Sequence, residues 1–191
     1  FDERYARLPE LGRLTGRGQL ISLDMGVKLD GFYGDSAVTV PVGQVSDDVQ
    51  RLLRVTQEAL QQGVAEVRLG ARVSEVVNAI QEHVEAAGFS VVREFVGHGI
   101  GAQLHEEPQI ANYGEPGRGP RLAEGMVLAI EPMVNMGRPA VKVLRDGWTA
   151  VTRDGSLSAH FEHTVAVTKD GPLVLTERTG ATAGSAGSGV R

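Results

Sequence analysis

The chain has 191 residues, 41% of them hydrophobic and 23% charged, with a formal net charge of −5 and no cysteine. That length and balance suit one soluble globular domain with a real core. They exclude disulfides and thiolate metal sites, and the acidic balance without a basic run argues against a nucleic-acid surface. No stretch of eighteen apolar residues and no signal-peptide pattern occurs, so neither a membrane span nor secretion is expected, and a cytoplasmic location fits. Any metal site must therefore be built from His, Asp and Glu.

Residues 1–19 show no sustained period and read as an irregular segment. From Leu20 the apolar residues Ile21, Leu23, Met25 and Val27 alternate with Ser22, Asp24 and Gly26, which predicts a half-buried strand. The turn residues of "LDGFYG" follow, and "DSAVTVPVG" returns as the second arm of a hairpin. Ser46 with Asp47 and Asp48 opens a helix carrying Val49, Leu52, Leu53, Leu60 and Val64 at helical spacing. A second helix runs over "RVSEVVNAIQEHVEAAG", with Val73, Val76, Val77, Ile80 and Val84 on one face and Gly88 as its stop. Its His83 reads as solvated.

Beyond the helices the sequence predicts a strand over "FSVVREFVG", a loop over "QIANYGEPGRGPRLAEG" and an apolar strand "MVLAIEP". Paired strands follow in "VNMGRPAVKVLRDGWTAVT", then a last strand "AHFEHTVAVT". Residues 180–191, rich in Gly, Ala and Ser, read as a flexible tail. The order of strands, two helices and strands is that of an α+β domain.

Four carboxylates stand on strand-like segments. Asp24 and Asp35 lie on the two arms of the hairpin, Glu131 ends an apolar run, and Glu162 lies between Phe161 and His163. Taken singly, each also reads as a solvent-facing strand or turn residue, and the glycine-flanked His98 as a turn histidine. Together they form an oxygen-and-imidazole set suited to divalent ions, because buried unpaired carboxylates cost several kcal/mol each. His105 reads equally as a capped loop residue, Glu106 and Glu107 as solvated loop charges, and Trp148 as core. His163 is expected to point away from Glu162 by strand alternation.

The wording "SLDMGVKLDGFYGDSA", "GHGIGAQLHEEPQI", "LAIEPMV" and "DGWTAVTRDGSLSAHFEHTVAVT" resembles the type I methionine aminopeptidases, over about Leu20 to Thr179. The resemblance implies the pita-bread fold, an antiparallel sheet with covering helices, with residues 20–179 as the catalytic domain. It implies two divalent metal ions, manganese, cobalt, iron or zinc, held by Asp24, Asp35, His98, Glu131 and Glu162. Asp35 and Glu162 would bridge the ions and Glu131 would shuttle protons. His105 would face the scissile amide, Trp148 would wall the side-chain pocket, and a monovalent cation would sit near Ser158.

The implied activity is removal of the N-terminal methionine from peptides and nascent proteins, by a monomer. A non-catalytic, metal-binding pita-bread protein is the alternative, and a proline-specific peptidase of the same fold stands behind it. The resemblance also implies that the N-terminal part of the fold, with its histidine, is missing or altered here. Ala6 stands where that histidine is expected, only Pro9 echoes its motif, and exposed apolar surface would then favour association. Leu104 stands where the family commonly has a larger aromatic residue.

Overall fold

The structure is a computed structural model that describes residues 19–147 and 149–177. It opens with the expected hairpin, β1 (Leu20–Leu29) and β2 (Phe32–Pro41), closed by Asp30 and Gly31 in the left-handed region at φ 49° and 92°. The apolar row of β1 departs from expectation. Met25, Val27 and Leu29 are exposed, since nothing among the described residues packs over that end of the strand.

Two helices follow, α1 (Asp47–Ala65) and α2 (Val73–Ala86). The Ser46 hydroxyl accepts the Val49 amide and caps α1, whose first turn carries Asp47 and Asp48. Gly88 at φ 79° ends α2, a conformation that costs glycine nothing. Val49, Leu52, Val55 and Leu60 of α1 and Val76, Val77, Ile80 and Val84 of α2 are buried, as the helical spacing requires. Gly63 lets the helices close up, because a Cβ there would meet the Ile80 side chain at 2.8 Å. His83 is not simply solvated: its Nε2 lies 3.2 Å from Glu58 Oε2 on α1 and ties the helices together.

The remaining strands are β3 (Ser90–Val91), β4 (Val96–Gly99), β5 (Glu106–Ala111), β6 (Val127–Ile130), β7 (Met133–Asn135), β8 (Val141–Val143), β9 (Ala150–Thr152), β10 (Ser158–His160), β11 (His163–Thr168) and β12 (Gly171–Val174). They form a five-stranded sheet in the order β12-β11-β6-β4-β5, a three-stranded sheet β10-β7-β3 and the hairpin β8-β9. Every ladder is antiparallel. This is the α+β architecture of the pita-bread fold, with the two helices packed on the sheets. Leu52, Val76, Ile80, Leu128, Ile130, Val134 and Val165 fill the interface. Each large aliphatic side chain buried there contributes about 1.5–3 kcal/mol.

Four expectations need correction. The stretch 89–97 is two short strands, β3 and β4, because β3 pairs with β7 while β4 enters the other sheet. Glu106, Glu107 and Gln109 lie on β5 rather than in a loop, with Glu106 paired to Gly99 and Gln109 to His98 of β4. The stretch 159–168 divides into β10 and β11 at Phe161 and Glu162, where the chain changes sheet. It is not the last strand, since β12 returns to pair with β11. Among the described residues no helix is long and apolar enough to cross a membrane.

Candidate metal centre

The hairpin register sets Gly26 opposite Asp35 and Asp24 opposite Ala37, so the two aspartates are diagonal neighbours on one face. Asp24 is exposed at the rim and Asp35 is buried. Leu104 covers this corner, its Cδ1 3.1 Å from where a Cβ of Gly26 would stand.

Glu162 comes to Asp35 without a regular ladder. The Glu162 amide donates to the Ala37 carbonyl at 2.9 Å, and the Ser36 hydroxyl donates to the Glu162 carbonyl at 3.3 Å. Two threonines complete the seam. The Thr39 hydroxyl accepts the His160 amide and donates to the His160 carbonyl, both at 2.8 Å. The Thr164 hydroxyl does the same for Asp35, at 2.8 Å from its amide and 2.7 Å from its carbonyl. Glu162 is thereby 2% exposed, which overrides the outward reading that strand alternation alone allows.

His98 stands on β4 between two glycines. A Cβ on Gly97 would collide with the Ala129 carbonyl of β6, and one on Gly99 with the Glu107 carbonyl. The glycines therefore admit neighbouring backbone, which is how His98 is buried in the sheet. A register shift between His98 and Gly99 marks the bulge there. His98 Nδ1 lies 2.9 Å from the Gly99 carbonyl oxygen. A carbonyl only accepts, so Nδ1 carries the hydrogen and Nε2 keeps its lone pair for a cation.

Glu131, just past β6, lies between two imidazoles. Its Oε1 is 3.5 Å from His98 Nε2 and its Oε2 is 3.5 Å from His160 Nε2. Among the described residues, two groups of donor atoms lie within 4.8 Å of one another: Asp35, His98 and Glu162, and Asp24, His160 and Glu162. Glu162 belongs to both. The five ligands expected from the sequence are thus brought together, with His160 beside them.

The electrostatics fit a cation. Burial, then Glu131, Asp35 and Asp24, push the Glu162 carboxyl up to about 9. Burial and then Asp24 raise the Asp35 carboxyl. Among the described residues no lysine or arginine forms an ion pair with these carboxylates. Glu162 Oε1 and His160 Nε2 are buried without a hydrogen-bond partner. Orphaned donor atoms in a nest of carboxylates fit one or more divalent ions, and the mixture of oxygens and imidazole suits manganese, cobalt, iron or zinc.

Around this centre His105 stacks edge-on against His98, ring centroids 4.3 Å apart. Both line a cleft of about 510 Å³ together with Gln103, Glu106 and Gln109. His163 turns away, as alternation predicts. It meets the Thr176 hydroxyl at 2.9 Å, and burial lowers its imidazole from the ordinary range. Ser158 sits on β10 opposite Asn135, its hydroxyl donating to the Val134 carbonyl at 3.2 Å. Trp148, the expected pocket wall, lies outside the described residues, as do residues 1–18 and the tail beyond 177.

His160, Thr39 and Thr164 are the residues that sequence reasoning missed. A signal existed for His160, which stands two positions before Glu162 and so shares its face on an extended chain. None existed for the threonines, whose partners lie 121 and 129 positions away.

Comparison with known proteins gives the same picture. The profile of metallopeptidase family M24 matches residues 9–169. Methionine aminopeptidase 1 of Bacillus subtilis is 57% identical over 164 residues, covering 86% of this chain and 66% of that protein. The crystal structure of the methionine aminopeptidase of Thermotoga maritima superposes with a TM-score of 0.83 at 50% identity, covering 85% of this chain and 65% of that one. The prolidase of Pyrococcus furiosus follows at a TM-score of 0.68 and 25% identity, covering 85% of this chain and 42% of its own. The chain thus spans just under two thirds of the length of the two methionine aminopeptidases. A site of clustered carboxylates and imidazoles, on a fold and sequence shared with these proteins, makes this chain a member of metallopeptidase family M24.

Proposed function

We propose that the protein removes the N-terminal methionine from peptides and nascent proteins by hydrolysing the first peptide bond. The observation that carries this reading is the pair of donor groups sharing Glu162, in a chain 57% identical to a methionine aminopeptidase. Asp24, Asp35, His98, Glu131 and Glu162 would hold two divalent ions, with Asp35 and Glu162 common to both. Bound there, such ions supply Lewis acidity and acidify a water toward neutral pH.

The chain's own residues supply the rest. Glu131, flanked by two imidazoles at 3.5 Å, takes up the proton of the attacking water and returns it to the leaving amine. His105, packed on His98 at the cleft wall, donates a hydrogen bond to the carbonyl oxygen as charge develops on it. The acidic cluster also attracts the free α-ammonium of the substrate, which restricts cleavage to the first residue. By the same resemblance Trp148 would wall the pocket for the methionine side chain, and the Ser158 backbone would help hold a monovalent cation. The protein works in the cytoplasm.

Substrate profiling tests this reading. Methionine should be released from Met-Ala-Ser at least about a hundredfold faster than any residue from Ala-Pro or Leu-Pro peptides. Preference for the proline-containing peptides would replace the methionine reading with a proline-specific one. Bound metal without turnover of any peptide would leave a metal-binding protein only.

A further inference from the structure

His160 belongs to none of the five expected ligands, yet its position is built. Its amide and carbonyl are both clasped by the Thr39 hydroxyl at 2.8 Å, so the backbone that carries the ring is fixed independently of the ring. Its Nε2 is buried, has no hydrogen-bond partner and faces Glu131 Oε2 at 3.5 Å. A donor atom of His160 falls within 4.8 Å of donor atoms of both Asp24 and Glu162.

The two donor groups also have matching composition. Each has one aspartate and one imidazole, and Glu162 is common to both. Glu162 Oε1 is the other partnerless buried atom of the cluster. An imidazole nitrogen withdrawn from water, without a hydrogen bond and surrounded by carboxylate oxygens, is placed to receive a cation.

From this geometry we infer that His160 is a further metal ligand, supplying an imidazole to the ion held by Asp24 and Glu162. The inference rests on the metal-centre reading above. It gives each ion position one imidazole, His98 on one side and His160 on the other, with Glu131 between them. Without His160, an ion held by Asp24, Asp35 and Glu162 would have only oxygen donors and would accept manganese or magnesium readily. Adding an imidazole shifts that position toward cobalt, zinc and iron. His160 thereby sets which ion completes the centre.

The test is cobalt loading of the wild-type chain and of His160→Gln and His160→Ala, followed by calorimetry and proton NMR. Wild type should bind two cobalt ions and display two hyperfine-shifted, exchangeable imidazole N–H signals. His160→Gln should keep one such signal and one tight ion, and bind the second at least about tenfold more weakly. Its preference for cobalt over manganese at that position should fall. One exchangeable imidazole signal in di-cobalt wild type would overturn the inference whether or not the variants fold. So would unchanged affinity and spectra in His160→Gln, leaving His160 as a neighbour of Glu131 alone. Absence of any bound ion in wild type would instead remove the metal-centre reading on which it rests.

Discussion

The side-chain hydroxyl of Thr164 holds both backbone polar groups of Asp35, accepting its amide at 2.8 Å and donating to its carbonyl at 2.7 Å. All three groups are buried, so the contact closes the hairpin onto β11 where no ladder does. Replacing Thr164 with valine keeps the shape and strands both groups. Each stranded group costs about 1–3 kcal/mol, so Thr164→Val should lose about 2–6 kcal/mol in denaturant unfolding. Thr164→Ser should recover most of it. Equal stability of the valine and wild-type proteins would show that the seam is held elsewhere.

Gly97 makes a second prediction. A methyl group there would run into the Ala129 carbonyl, a backbone atom with no rotamer to yield. Gly97→Ala should therefore push β4 from β6, cost about 1–3 kcal/mol and weaken metal binding by displacing His98. Gly114→Ala, whose added methyl would meet only the Val77 side chain at an ordinary 3.5 Å and whose φ is not left-handed, controls for loss of a glycine alone. Equal metal affinity in Gly97→Ala and wild type would contradict the packing argument.

The Glu162 carboxyl links metal, pH and stability. Its proton is held up to about pH 9 in the folded, metal-free protein, against an ordinary value of 4.5. Between those values the folded chain keeps a proton that the unfolded chain has released. The contribution of Glu162 to stability of the metal-free protein should thus be full below 4.5 and be lost as pH rises toward 9. At pH 7, metal binding must expel this proton. Titration calorimetry in buffers of different ionisation enthalpy should show about one proton released per metal-loaded protein. A binding enthalpy independent of buffer would show that Glu162 is already ionised.

Solution behaviour follows from the hairpin. Met25, Val27, Leu29 and Phe32 are 60–72% exposed on strands whose outer edge has no partner strand among the described residues. Apolar edges of this kind associate. Light scattering should show mass rising with concentration, and Val27→Lys with Leu29→Lys should reduce it. A constant monomer mass in the unmodified chain would count against this.

Much of this fold was legible because its elements repeat locally. The apolar spacing from Val49 to Val64 and from Val73 to Val84 fixes both helices, and Ser46 and Gly88 mark where they begin and end. The breaks were not legible. The chain leaves one sheet at Phe161 and Glu162 and joins another, a choice made by Thr39 and Thr164 from far along the sequence. The carboxylates could be suspected singly, but a carboxylate on a strand has two faces open to it. Only the seam decides that Glu162 turns inward, and the same seam brings in His160.

The most direct test of the account is methionine release from Met-Ala-Ser by the purified chain, titrated with manganese or cobalt, beside Glu162→Ala. Because Glu162 belongs to both donor groups, its loss should remove both ion positions and abolish release, whereas wild type should gain activity with each ion bound. Release that survives in Glu162→Ala, or that proceeds in wild type without metal, would contradict a hydrolase built on this centre.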